Sequence, residues 1–412
     1  MKVSRLLLQL ALGKRLPITA GTIQVEGINE TITIRRDNFG IPHIEAATDE
    51  DAWYAVGFCQ GQDRSFQLEI TLRIARGSLS ELLGSKFIAT DRLSRQIGFS
   101  HNAKLQISMI DEKILNVLKA FAKGLNHGST FGSKRRSHEF VILGTKPSHC
   151  EAEDIIAISK VQAFAISSNW DIEIARYQIL QHDGPGAVGS LDPEYPEWQS
   201  TILSQGEPQG ARADRLAEDL DSLLKLVHSN GGSNSWALSS SRTSTNRPIV
   251  ANDPHLKPTV PSSWYLAHVT TPHWSAAGAT FIGTPSFPAG HNEVAAWGVT
   301  AGMVDTCDLF IEKIGPDGLS VQQGNRFEKC SMREENIAIR DKSDIVERVL
   351  TTPRGPIIGG VESANTEAFS LAATWLKPRP IRGLLDIHRA KTMDEFKAAC
   401  SEWPLSSLNM IY

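Results

Sequence analysis

The chain is short of cysteine, has no long apolar run and carries no large excess of either charge. Each shortage removes a class of protein. Its 412 residues include five cysteines (Cys59, Cys150, Cys307, Cys330 and Cys400), an odd and scattered set without a CxxC pair. Such a set reads as buried thiols and excludes a disulfide framework or a zinc site built on cysteines. No uninterrupted apolar run approaches the roughly 18 residues that mark a membrane span. Forty-two Lys and Arg against 46 Asp and Glu leave a net charge of -4, so the basic surface that nucleic acid requires is missing. The strings GxSxG, HExxH and Walker A are absent too, which removes the usual serine hydrolases, zinc proteases and NTPases. Gly184-Pro185-Gly186-Ala187-Val188-Gly189 formally matches GxGxxG. A helical pattern precedes it and a Pro-rich stretch follows, whereas a dinucleotide site needs a strand before and a helix after. No organic cofactor is expected.

What remains has ordinary globular composition, 41% hydrophobic and 21% charged, at a length for two or three domains or one large intertwined fold. The start, Met1-Lys2-Val3-Ser4-Arg5 and then Leu6 to Leu12, imitates a signal peptide. Its apolar run is short, holds Gln9 and leads into Lys14-Arg15, which favours a short docked helix. Localisation therefore stays open. Alternation in Thr31-Ile32-Thr33-Ile34-Arg35 predicts a strand, and Ile41-Pro42-His43-Ile44 resumes extended chain. Thr48 with Asp51 opens a long helix that stops near Gly77, and further helices fit 104–124 and 152–181. Between 183 and 232, glycines and prolines break any long element, with one amphipathic stretch from Leu216 to Val227. That segment reads as a surface spacer that can be cut without dismantling a core. Strand-like runs follow at Trp236–Leu238, Pro248–Val250, Trp264–Thr270, Ala295–Thr300 and Val346–Thr351. The order is a mainly helical segment 1–182, a spacer 183–232 and a strand-rich segment 233–412, an α+β layering.

The chemistry concentrates where the spacer ends, in GGSNSWALSSSRTSTNRPIVANDPHL, residues 231–256. A Gly-Ser pair there has a specific use. The Ser233 hydroxyl can attack the Gly232 carbonyl, unobstructed by a side chain, and water then cleaves the resulting ester. The new chain would begin at Ser233 with both a hydroxyl and an α-amine. Such an amine has an unperturbed pKa of about 7.7–8.0, so nucleophile and general base sit in one residue. Taken alone, the string is also an ordinary polar turn.

The strings GSNSWALSSSRT, ANDPHL, SSWYLAHV, FPAGHNEVAAWGVTAG and DTCDLF, with RRDNFGIPHIEA, GQDRSFQLE and RIARGSLSELLG near the start, resemble the penicillin acylase (penicillin amidase) family of N-terminal nucleophile hydrolases. The resemblance covers most of 30–412. It implies an αββα sandwich, two antiparallel sheets between helices, here incomplete. It implies autocleavage at Gly232–Ser233, giving an α/β heterodimer from one precursor, with Ser233 as nucleophile. It implies Ala301 as the main-chain oxyanion donor, and His255 as a residue steering the Ser233 hydroxyl or assisting proton transfer. Asp305, the Cys307 carbonyl, Asp308 and Glu173 match a structural calcium site, whose hard oxygen ligands suit that ion. Phe164, Ala289 and Val299 fall near positions that shape the acyl pocket. The expected substrate is a small N-acyl amide such as a β-lactam side chain, connected with antibiotic biosynthesis. N-acyl homoserine lactones are the alternative within the same mechanism, and a silent remnant binding ligand or a partner fragment is the alternative outside it. The family leans towards the periplasm. Relatives continue past the point matching Tyr412, so the second oxyanion donor, an Asn side chain, is expected to have no counterpart among these residues. Asn252-Asp253-Pro254 reads as a turn placing His255, Trp236 as core and Asn292 as a loop holder.

Overall fold

The computed structural model describes residues 9, 13–167, 169–191, 213–227, 232–364 and 366–412. The start of the chain read as a docked helix lies outside the described residues apart from Gln9. The strands are β1 Thr33–Arg36, β2 Pro42–Glu45, β3 Ser233–Leu238, β4 Ile249–Pro254, β5 Trp264–Thr270, β6 Ser275–Phe281, β7 Ala289–His291 and β8 Ala296–Ala301. After them come β9 Cys307–Lys313, β10 Ser320–Gln323, β11 Arg326–Lys329, β12 Ser331–Ile337, β13 Ile345–Thr351, β14 Ile357–Ile358, β15 Glu367–Ala373 and β16 Leu408–Ile411. The helices that matter here are α1 Asp49–Arg76, α2 Ile88–Ile97, α3 Glu112–Phe131, α4 Ala152–Ser167, α5 Trp170–Asp183 and α6 Ala213–Val227.

α1 obeys its sequence signals. Thr48 caps it by accepting from the Asp51 N–H at 3.1 Å, and Gly77 ends it in the left-handed region at φ 62°. The buried Asp51 carboxylate accepts the Asn29 and Glu30 N–H groups, tying the leading loop down. α1 and α3 touch along two pairs of small residues. A Cβ added at Gly124 or Gly128 would lie 2.0 Å from the carbonyl oxygen of Tyr54 or Phe58, so only glycine permits this approach.

The main sheet has seven strands in the order β1-β2-β5-β6-β7-β8-β16. Its inner face, with Ile44, Ala267, Val269 and Ala276, shares one core with Trp53, Ala55 and Val56 of α1. Gln60 of α1 spans the joint, donating to Thr280 Oγ1 at 2.7 Å and accepting the Gly283 N–H at 2.8 Å. β2 runs parallel to β5, His43 opposite His268. The first segment and the strand-rich segment therefore share one sheet, and a break between them would leave two interlocked pieces.

The α+β class is as expected. Among the described residues, the second layer opposite β8 is the two-stranded β3–β4 hairpin. A three-stranded sheet, β14-β15-β9, and the hairpins β10–β11 and β12–β13 complete the strands. All five cysteines are free, four of them buried. Burial, with a smaller push from the Asp63 charge and against the pull of Arg36, raises the Cys59 thiol to about 12.

Two readings are corrected. The stretch from Leu216 to Val227 is a helix, but not a surface one. Leu216, Leu220 and Leu223 join the main core, and the wholly buried Asp219 carboxylate takes a bidentate contact from Arg92 of α2. The helix expected over 152–181 is two helices, α4 and α5, and Trp170 at the start of α5 is fully buried.

Candidate functional site

Ser233 is the first residue of β3, half-buried, and Gly232 before it is exposed. β3 pairs with β4 in register Ser233↔Pro254, Asn234↔Asp253 and Ser235↔Asn252. Asn252-Asp253-Pro254 is therefore strand, not turn, because Asn252 and Asp253 sit opposite residues of β3. The pairing continues one step further: the His255 N–H donates to the Gly232 carbonyl at 3.1 Å. The carbonyl that Ser233 would attack already holds a main-chain donor. The His255 imidazole is turned to Asp253, Nε2 to Oδ2 at 3.0 Å.

The hairpin is docked on β8 by Asn252, whose amide donates to the Val299 carbonyl at 2.8 Å. Gly298 of β8 makes the fit possible, since a Cβ there would lie 2.7 Å from Ser235 Oγ. Ala301 ends the same strand. So the strand that begins at Ser233 and the strand that ends at Ala301 are brought together, with Asn252 as the link. Sequence reasoning gave Asn252 no such part, and only its place in ANDPHL hinted at one.

Ala301 is paired with Leu408 of β16. Asn409 on that strand donates its side-chain amide to the Ala301 carbonyl at 3.1 Å and to Thr300 Oγ1 at 3.2 Å. Both amide hydrogens of Asn409 are taken by these two oxygens, so it braces the end of β8 and does not supply the second oxyanion donor.

Of the expected pocket residues, Phe164 and Val299 are buried and Ala289 is half-buried. Phe164 is fully buried in an aromatic cluster with Phe99, Trp170 and Trp375, ring centroids 5.2–6.3 Å away. Val299 is buried in β8, and Ala289 of β7 sits opposite Ala279. The open cleft beside the hairpin, about 790 Å³, is lined instead by Asp171 and Ile174 of α5, Leu220 and Leu224 of α6, and His255. Trp236, expected in the core, is half exposed. Asn292 holds its loop, donating to the carbonyls of His388 and Ala390 and accepting the Ala295 N–H.

Glu173, Asp305 and Asp308 converge, one carboxylate oxygen of each lying within 4.8 Å of the others. Glu173 is held at the joint by the Leu309 N–H at 2.9 Å. Burial, then the charges of Asp308 and Asp305, raise its carboxyl to about 7. Asp308 is raised for the same reasons. Three mutually repelling hard oxygen donors suit a calcium ion chemically. The Cys307 sulfur faces inward, accepting from Trp170 Nε1 at 3.3 Å, so that residue has only its main-chain carbonyl to offer a metal.

A family model described as penicillin amidase matches residues 31–412. Penicillin acylase 2 proenzyme of Pseudomonas sp. (strain SE83) is 32% identical over 364 residues, 85% of this chain and 46% of that protein. Acyl-homoserine lactone acylase QuiP of Pseudomonas aeruginosa is 25% identical over 419 residues, 96% of this chain and 50% of that protein. A solved structure of thermostable penicillin G acylase from Alcaligenes faecalis aligns with 43% of this chain and 32% of that one, at 23% identity and a TM-score of 0.38. The chain spans about half the length of the curated relatives it matches.

Proposed function

The chain belongs to the penicillin amidase family, and on that premise we propose that it is the part of an amide hydrolase that carries the nucleophile, Ser233, activated by self-cleavage at Gly232–Ser233. The carrying observation is the Gly232 carbonyl, exposed at the hairpin edge and already hydrogen-bonded by the His255 N–H. In self-cleavage, Ser233 Oγ bonds to the Gly232 carbonyl carbon and the peptide C–N bond breaks, leaving an ester and a free α-amine on Ser233. Water hydrolyses the ester and leaves a Gly232 carboxylate. The His255 N–H is aimed at the oxygen that becomes negative, where a preorganised donor counts most.

Turnover repeats the pattern on an external amide. The Ser233 α-amine takes the hydroxyl proton, Oγ attacks the acyl carbon, and the amine leaves carrying that proton. Water then releases the acid from the acyl-enzyme. Ala301 N–H is the donor offered to the oxyanion, and the cleft beside His255 is the space for the acyl chain. The chemical class is an N-acyl amine. The relatives are named for penicillin and acyl-homoserine lactone acylases, and an apolar pocket separates neighbouring acyl groups by only about 1–3 kcal/mol per methylene. Glu173, Asp305 and Asp308 would hold a structural calcium ion, neutralising their mutual repulsion and joining α5 to β9. Cleavage yields an α/β pair in which α6 stays packed against α2.

The test pairs two variants of the protein as its gene encodes it. His255→Ala keeps the main-chain donor and is expected to self-cleave. His255→Pro deletes that donor and is expected to slow cleavage about 100-fold. Equal cleavage by both, with matching melting temperatures, would remove the His255 N–H from the account.

A further inference from the structure

The outer face of the seven-stranded sheet carries a row of histidines that the proposed chemistry at Ser233 does not use. His43 on β2 stands opposite His268 on β5, and the row continues through Ala277 on β6 to His291 on β7. The Nδ1 atoms of His43 and His268 are 3.1 Å apart, and the two rings are nearly perpendicular. Each outer nitrogen has its own oxygen partner. His43 Nε2 lies 3.5 Å from Asp37 Oδ2, and His268 Nε2 lies 3.2 Å from Ser275 Oγ and 3.4 Å from Thr270 Oγ1. Outer nitrogens held by a carboxylate or hydroxyl while the inner ones converge is how metal-binding imidazoles are oriented.

We propose that His43 and His268 form a two-nitrogen seat for a divalent transition-metal ion of the copper, nickel and zinc class. An ion about 2.0–2.1 Å from both Nδ1 atoms, with these 3.1 Å apart, subtends an angle of about 100° between them. That lies between the square-planar and tetrahedral values. Imidazole nitrogen selects these metals over calcium and magnesium, which prefer oxygen, so the seat is chemically distinct from the carboxylate cluster. Without metal, a single proton closes the chain. His43 Nε2–H donates to Asp37, His268 Nδ1–H donates to His43 Nδ1, and the Ser275 hydroxyl donates to His268 Nε2. The ion takes the place of the proton between the two Nδ1 atoms. That proton passes through solvent to His268 Nε2, and the Ser275 hydroxyl turns round to accept it.

The surrounding charges tolerate a cation. Arg35, opposite His43 on β1, is ion-paired with Glu45, Asp37 lies at the outer nitrogen of His43, and His291 and Glu293 act on His268 from beyond β6. The two ligands come from segments on opposite sides of the Gly232–Ser233 junction, so a bound ion ties the first segment to the strand-rich one whether or not that bond is cut.

The test titrates copper(II) into the metal-free protein as its gene encodes it, followed by electron paramagnetic resonance and thermal melting. One ion per chain, a two-nitrogen spectrum and a raised melting temperature are expected. His43→Ala and His268→Ala are each expected to weaken binding at least about tenfold, while His273→Ala, on the adjoining turn, leaves it unchanged. Undiminished affinity in His268→Ala overturns the proposal. So does a wild-type spectrum with fewer than two nitrogens, which decides the matter even if the variants fold poorly.

Discussion

The helical layer and the β3–β4 hairpin are built on opposite terms. In the helical layer α1 and α3 meet at glycine–carbonyl contacts too close for any side chain, and Trp53, Phe121 and Phe164 are sealed from solvent. In the hairpin Gly232, Asn234 and Trp236 face solvent, and its docking on β8 centres on the Asn252 amide. The stability of the molecule sits in the first region and its candidate chemistry in the second. A reacting edge must admit substrate and water, and the helical layer supplies the rigidity the edge lacks.

Substitutions can separate the two. Gly128→Val, which drives a side chain into the Phe58 carbonyl, is expected to cost about 5 kcal/mol or more and abolish soluble folding. Soluble yield and thermal melting check this, and a well-folded variant would show that the helix contact is not what holds the layer together. Asp219→Ala leaves Arg92 without its buried partner and is expected to cost about 3–4 kcal/mol by denaturant unfolding. A loss under about 1 kcal/mol would return α6 to the surface. Asn252→Ala is expected to do the reverse, slowing cleavage about tenfold, or 1.4 kcal/mol in barrier, with little change in melting temperature. A variant that loses stability and keeps its rate would erase the contrast between the regions.

The smallest effect concerns pH. Lys160 is wholly buried in α4, its ammonium donating to the carbonyls of Trp375 and Leu376 at 2.9 and 3.3 Å. Burial lowers it from 10.5 to about 7. Between those values the unfolded chain holds a proton that the folded chain lacks, so stability rises with pH through that window. Unfolding free energies at pH 7.5 and 8.5 are expected to differ by about 1 kcal/mol, a difference that Lys160→Met removes. An equal rise in the variant would assign the slope to other groups.

The sequence disclosed whatever local rules govern. The Thr48 cap, the Gly77 stop and the strand Trp264–Thr270 stand where their residues put them. So does the order of elements around Ser233, whereas the joint of β3 with β8 appears only once the Asn252 amide is seen on the Val299 carbonyl. Long-range partners were not legible. The Leu216-Leu220-Leu223 spacing marks an amphipathic helix, but only Arg92, 127 residues away, reveals that Asp219 on it is buried. Asn252 reads as a turn residue until β4 is seen to continue past it. Phe164 is an acyl-pocket candidate by resemblance and a core residue by its ring contacts. The kink of α1 at Arg64, which donates to the Ser262 carbonyl at 2.8 Å, has no proline or glycine at that position to announce it.

The most direct measurement is intact mass with N-terminal sequencing of the active protein as its gene encodes it. The account predicts a fragment whose first residue is Ser233, absent from Ser233→Ala along with all amide turnover. Normal turnover by molecules in which residues 232 and 233 remain joined would contradict it.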